Sequence, residues 1–469
     1  MVTIASSAKA ETLKLCREGA KYWRRRRAKL MLIEFSVSNF RSVAELQTLS
    51  MVAGSSRSAR GVHSHDTGIA AVPHLLKAAA ILGPNGAGKS TLVNAMYFMR
   101  QFVVSSARDS QEGEEIGAEP FLFSNETRKK PSQFEAIFVE NGTRYQYGFW
   151  VTKSVVVKEW LYATPPGRKS QKWFERGYDP KTKKQTITVG SSVKGEREVW
   201  KKSTRDNALF LSVAVQLKSE HFLEPFAWFR DRLRVVKSSQ RLSESFSAEK
   251  STSIEKKNIL KFLHSVDVNI SDIRVVEKDP EQAFSQLPLS IREPLLKSMS
   301  VGKRRGRIAE VHLGHKTESG EVVFLPLNEE SDGTKVLFAL SGPWLDVLEN
   351  GRVLVVDELH NSLHPLAFEF LVAVFQDTKW SKKFGQMIFT THETHFLSQD
   401  RIHRDGIWLV KLDGVRGTKL TPLSDFKARS GEAFDRGYLG GRYGSIPRIR
   451  INPAETLAVV GNSKDPSEL

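Results

Sequence analysis

Hydrophobic residues change their spacing several times along this chain, and each change predicts a different element. From Met31 the run Leu-Ile-Glu-Phe-Ser-Val-Ser-Asn-Phe-Arg-Ser sets Leu32, Phe35 and Val37 among polar neighbours, the pattern of a half-buried strand. Lys77 to Leu82 reads as a second strand and leads into a glycine-rich turn, then a helix-like stretch from Ser90 to Arg100. Gln133 to Val139 and Arg144 to Val151 are short β-type runs flanking Asn141-Gly142, a strong hairpin turn signal, so antiparallel sheet is expected there. Between about 205 and 300, apolar residues at three- and four-residue spacing, as in Ile254 to Val266, predict a mostly helical inserted lid. No fixed-period repeat is visible, and no heptad register persists for three or four turns, which excludes a long coiled coil. The longest apolar stretches, such as Lys77 to Leu82 and Val353 to Val356, fall far short of the roughly 20 residues that cross a bilayer, so no membrane partner is expected.

Composition narrows the class. Hydrophobic residues at 40% and charged ones at 26% fit a globular chain, and 469 residues suffice for two or three packed units. The only cysteine is Cys16, which rules out an intrachain disulfide and a thiolate metal cluster and makes a reducing cytoplasm the expected setting. Seventy Lys and Arg against 53 Asp and Glu leave +17, a balance that serves solubility and also attracts polyanions such as DNA or RNA. Two clusters concentrate it: Tyr22 to Lys29 packs five cations into eight positions, and Arg168 to Arg205 carries twelve Lys and Arg against four Asp and Glu. Residues 1 to 30 read as a basic, partly helical extension without a secretory signal, either a functional arm or the product of an upstream start codon.

The chemistry begins at Gly83-Pro-Asn-Gly-Ala-Gly-Lys-Ser90, a complete G-x-x-x-x-G-K-[ST] match between a strand and a helix. Gly83, Gly86 and Gly88 let backbone N–H groups curl around a phosphate, Lys89 sets a cation at the β and γ phosphates, and the Ser90 hydroxyl completes a Mg²⁺ shell. Asn85 and Thr91 belong to the same nucleotide-binding set. The second half is Arg352-Val-Leu-Val-Val-Asp-Glu358, an aliphatic strand ending in carboxylates: Asp357 is expected to hold Mg²⁺ and Glu358 to polarise the attacking water, with Lys89 as its catalytic partner. A third strand, Gln386 to Glu393, ends in His392, placed to hydrogen-bond the γ phosphate.

These residues resemble ABC-type ATPases of the SMC/RecF-like branch, close to the AAA-named ATPases of prokaryotic phage defence that resemble RloA and the abortive-infection protein AbiL. The resemblance implies an α/β fold: an ABC-type P-loop NTPase head, with a mixed central sheet, flanking helices, an antiparallel β subdomain and the helical lid. Ser38-Asn-Phe-Arg-Ser42 resembles that branch's opening strand, which implies that Asn39 and Arg41 lie near the nucleotide. Glu330-Ser-Asp-Gly-Thr-Lys335 resembles its signature motif, so Ser331, Asp332 and Gly333 would reach the triphosphate bound by a second subunit. Asp357 to Pro365 looks like a Walker B followed by a D-loop, and Thr390-Thr-His392 like a switch histidine segment. The signature lacks the double glycine of transporter ATPases. Glu119-Pro-Phe-Leu-Phe123 occupies the Q-loop region without a glutamine, and Gly437 to Pro447 resembles a terminal motif of the defence ATPases.

The expected division is a 1–30 extension, a 31–165 N-terminal lobe, a basic 166–205 insertion, a 206–305 helical lid, a 306–450 C-terminal lobe and a 451–469 tail. The expected function is slow ATP hydrolysis with Mg²⁺ across a head-to-head dimer, regulating a separate effector, a Toprim-like or other nuclease, in antiviral defence. The alternatives are a DNA-repair or recombination ATPase that loads on DNA, and a self-contained nuclease built on Arg60-Gly-Val-His-Ser-His65; a transporter ATPase fits least.

Overall fold

The computed structural model describes residues 31–54, 61–109, 111–237, 242–278, 281, 288–299, 308–377, 383–394, 397, 402–426 and 434–446. The 1–30 extension with Cys16, Arg60 and the 451–469 tail lie outside the described residues. Among those described, no helix is long and apolar enough to cross a membrane.

A six-stranded sheet runs in the order Leu233–Val236, Val353–Val356, Gln386–Thr391, Ala78–Leu82, Ile407–Leu412, Thr418–Pro422. The first five strands are parallel and the last is antiparallel to its neighbour. Parallel strands covered on both faces lose the apolar–polar alternation, which is why Ala78–Leu82 and Val353–Val356 are apolar at every position and fully buried. Alternate residues serve two separate cores. Ala79, Ile81, Val353, Val355 and Ile388 face the core that holds Leu92, Met96 and Met99 of helix Lys89–Asp109. Ala80, Leu82, Leu354, Val356 and Phe389 face the one that holds Trp344 of helix Asp332–Asn350 and Phe368 of helix Pro365–Gln376.

Across the first core lies a seven-stranded antiparallel sheet, ordered Lys184–Val189, Gln171–Asp179, Val156–Thr164, Thr143–Val151, Ser132–Glu140, Met31–Ser38, Gln47–Ser50. The hairpin turns at Asn141 and Gly142, whose φ values of 52° and 83° match a tight turn with two left-handed positions. The basic stretch after residue 166 continues this sheet as a further hairpin. Beneath it a fully buried Glu159 faces Arg176 at 3.6 Å. Glu159 accepts from Tyr147 Oη (3.0 Å) and from the backbone N–H groups of Phe210 (2.7 Å) and Leu211 (3.1 Å), while Arg176 donates to the Ala208 carbonyl (2.6 Å). The buried Gln386 side chain joins the two sheets: it accepts from Leu32 N–H at 2.6 Å and donates to the Leu32 and Leu76 carbonyls, both at 3.1 Å.

The stretch expected to be mostly helical does carry helices, among them Ser245–Ser251 and Lys256–Ser265, where Ile259, Phe262 and Leu263 are buried at three- and four-residue spacing. It also carries two strands that periodicity did not indicate. Leu233–Val236 is the edge of the central sheet, pairing with Val353–Val356, and Asp272–Lys278 joins Ile308–Lys316 and Val322–Pro326 in a three-stranded sheet. This part of the chain is therefore knitted into the head by a core strand.

Candidate nucleotide site

The loop between Ala78–Leu82 and helix Lys89–Asp109 is built around two left-handed glycines, Gly86 (φ 74°) and Gly88 (φ 103°), where a side chain would strain the backbone. A Cβ on Gly83 would strike the Val410 carbonyl, and one on Gly88 the Thr418 hydroxyl. The helix is 21 residues long with no acidic side chain in its first turn, so its positive end stays uncompensated toward the loop. Lys89 is buried; its Nζ donates to the Gly83 (2.8 Å) and Pro84 (3.0 Å) carbonyls and stands 3.5 Å from His392 Nδ1. Burial pushes its ammonium down to about 8, against the pull of Glu358 and Asp357.

The strand carrying Asp357 is not next to the P-loop strand; Gln386–Thr391 lies between them, and its Thr390 connects the parts. Fully buried Thr390 donates from Oγ1 to Asp357 Oδ1 at 2.6 Å and accepts from the Glu358 N–H at 2.7 Å. Burial raises the Asp357 carboxyl, opposed by hydrogen bonds from Thr390 and then Ser90. Glu358 takes a left-handed backbone (φ 52°), and its Oε2 accepts from Asn361 Nδ2 at 2.6 Å. His392 follows the same strand, its imidazole kept neutral first by burial and then by Lys89, with the His360 ring 5.4 Å away edge-on. Lys89, Ser90, Asp357, Glu358 and His392 therefore converge at the ends of three neighbouring strands. The Ser90 hydroxyl and Asp357 carboxylate form a hard-oxygen donor set suited to Mg²⁺.

Other expected site residues lie differently. Asn39 (φ 52°) is buried and its carboxamide is spent on the chain: Nδ2 donates to the Thr127 and Lys130 carbonyls, both at 2.8 Å, and Oδ1 accepts from Phe121 N–H at 3.0 Å. The expectation put Asn39 near the nucleotide; here its carboxamide closes the 121–131 loop. Arg41 is partly exposed, with Nε 3.4 Å from Glu119 Oε2. Thr91 accepts from the Ser42 hydroxyl at 2.8 Å. Ser331 and Asp332 are exposed at the start of helix Asp332–Asn350, where Ser331 Oγ accepts from Thr334 N–H at 3.2 Å. Gly333 abuts the Ser362 carbonyl, which a Cβ would approach to 3.0 Å. Of the terminal glycine segment, Gly437 to Ile446 is described and packs by its own turn, with Tyr443 buried against Phe426. His65, part of the nuclease alternative, is buried beside Phe384 with Nε2 2.9 Å from the Gly385 carbonyl, and burial pushes it down to about 4. Those contacts give it a packing role.

Thr390 and Asn361 were not singled out as site residues from sequence. The available signals were a threonine closing an otherwise apolar strand and an amide three residues beyond the glutamate.

Fold and site together define an α/β head of the P-loop NTPase kind. The chain belongs to the family described as "AAA domain, putative AbiEii toxin, Type IV TA system", which matches residues 78–398. No curated protein matches the sequence. Solved structures that the chain is similar to include an Smc head bound to the C-winged helix domain of ScpA (11% identity, 83% of this chain and 96% of that one, TM-score 0.36). The SMC head domain from Thermotoga maritima is another (13%, 83% and 98%, TM-score 0.31), as is the recombination mediator protein RecF-ATPrS of the RecFOR pathway (13%, 79% and 95%, TM-score 0.32).

Proposed function

We propose that this protein binds and slowly hydrolyses ATP between two heads, with residues 31–165 and 306–450 as the lobes of each, and thereby regulates a separate nuclease effector in antiviral defence. The observation that carries the reading is the convergence of a buried ammonium, two carboxylates and a neutral imidazole beside a P-loop, while Ser331 lies exposed with its hydroxyl turned to its own helix. In this reading Lys89 and the P-loop N–H groups hold the triphosphate, Asp357 and Ser90 hold Mg²⁺, and Glu358, steadied by Asn361, takes the proton of the attacking water. Bound Mg²⁺ supplies charge neutralisation on the phosphates. Ser331 and Gly333 of a second copy complete the site, and hydrolysis separates the heads. The family's description, which names a toxin of a toxin–antitoxin system, supports the defence context, and RloA- or AbiL-like relatives are the expected kin.

The test is Glu358→Gln with ATP and Mg²⁺ in light scattering, followed by co-purification with products of adjacent genes. A stable dimer that Lys89→Ala cannot form supports the reading; a monomer under all conditions refutes it. A second reading, an ATPase that loads on DNA, is favoured by the exposed Lys181, Lys183 and Lys184 around one hairpin. DNA-stimulated turnover lost on their replacement would select it.

A further inference from the structure

The P-loop is braced from below by two side chains: Ser42, which closes the opening-strand motif, and Thr418, which lies outside any nucleotide motif. Ser42 Oγ donates to Thr91 Oγ1 at 2.8 Å and lies 2.8 Å from Thr418 Oγ1, which is itself 3.0 Å from the Ala87 carbonyl of the loop. Thr418 N–H also donates to the Ser42 carbonyl at 2.7 Å, so the two residues are fastened by backbone as well as hydroxyl. Gly88 packs directly on this pair, having room for no side chain there. Thr418 is delivered by a locked turn: Asp413 Oδ1 accepts from the Val415 (2.9 Å) and Gly417 (2.7 Å) N–H groups, which fixes the start of strand Thr418–Pro422. Thr418 is 2% exposed, so water competes little for these bonds.

We propose that Ser42 and Thr418 are positioning residues for nucleotide binding: their hydroxyls hold Ala87, Gly88 and Thr91 in the curvature that a polyphosphate needs. This rests on the nucleotide-binding reading above and extends it to a strand far along the chain. A cradle fixed before the ligand arrives loses less freedom on binding, so the effect falls on affinity, with little on the chemical step at Glu358.

The variants are Thr418→Val, which keeps the shape without the hydroxyl, Thr418→Ser as its rescue, and Ser42→Ala. Each is measured by ATP affinity, by turnover at saturating ATP, and by hydrogen exchange of amides 85–88 in the nucleotide-free protein. Thr418→Val is expected to speed exchange of those amides and weaken ATP on the order of tenfold, the loss of one or two buried hydrogen bonds, with saturated turnover near wild type and Thr418→Ser restoring affinity. Unchanged exchange and affinity in Thr418→Val, or a serine variant no better than the valine, overturns the proposal. Should Thr418→Val not fold, Ser42→Ala carries the same comparison. If wild type ignores ATP while Thr418→Val still loosens the loop, the nucleotide reading fails and the brace stands.

Discussion

Replacing Thr390 with valine removes the hydroxyl that joins the two halves of the site and nothing else of size. The side chain is fully buried, so no water can substitute. Two partners lose a bond: the Asp357 carboxylate, which gives up its 2.6 Å donor and keeps Ser90, and the Glu358 N–H, which loses its 2.7 Å acceptor. A hydrogen bond to a charged group contributes roughly 1.5–3 kcal/mol, and a stranded buried N–H costs about 1–3 kcal/mol. The added apolar methyl returns only about 0.8 kcal/mol, so a net destabilisation of about 3 kcal/mol is expected. The pH dependence gives a second handle. The Asp357 carboxyl is already raised by burial, so folded protein ionises it at higher pH than unfolded protein does, and its contribution is lost as pH rises through the folded value. Losing Thr390 raises that value further. Urea unfolding at pH 5 and pH 8 should therefore show a larger deficit at pH 8, and the Mg²⁺ needed for half-maximal ATP hydrolysis should increase. A variant within about 0.5 kcal/mol of wild type at both pH values, a change typical of surface substitutions, or one weaker only at pH 5, would refute the assigned role.

Burial pushes Glu140 up to about 8, with Arg232 beside it at 3.5 Å opposing the shift. Wild-type stability should thus decline as pH rises from the ordinary carboxylate range through about 8, and Glu140→Gln should flatten that slope in urea midpoints. Arg176→Met leaves Glu159 buried without its cation and should cost about 3–5 kcal/mol in denaturant unfolding, with Glu159→Gln in the same chain recovering part. Since Lys89 loses its proton near 8, ATP affinity of the free protein should fall as pH passes that value, a trend absent from Lys89→Arg if charge alone decides binding. Asn361→Ala removes the hydrogen bond that steadies Glu358 Oε2 and should lower turnover several-fold while leaving ATP affinity intact; equal losses in both would show that Asn361 holds the fold instead.

The parts of this molecule legible in sequence are those whose causes are local. The strand, glycine loop and helix at residues 78–109 were announced in order, because glycine spacing and helix polarity act within a few residues. The buried Val353–Val356 run announced Asp357 and Glu358 for the same reason, and Asn141-Gly142 fixed its hairpin. What escaped was set at long range. Leu233–Val236 is a strand only because Val353–Val356 offers it an edge, and four residues leave no period to read. Asn39 looked available for phosphate, yet its partners lie near residue 121 and between 127 and 131, distances along the chain that no motif encodes.

The segment from Glu358 to Ser362 shows why side-chain chemistry and backbone strain coincide here. Both residues have left-handed backbones, at φ 52° and 63°, where glycine would sit at lower cost. Asn361 N–H donates to the Glu358 carbonyl at 3.1 Å and its amide to the carboxylate at 2.6 Å, so the turn that strains Glu358 also aims it. On its outer side the Ser362 carbonyl meets Gly333, which has no Cβ to hold it off. A Cβ added there would meet a backbone atom, which cannot yield by changing a rotamer. A side chain placed at Gly333 would therefore press on the same turn that holds Asn361 and the carboxylate it orients.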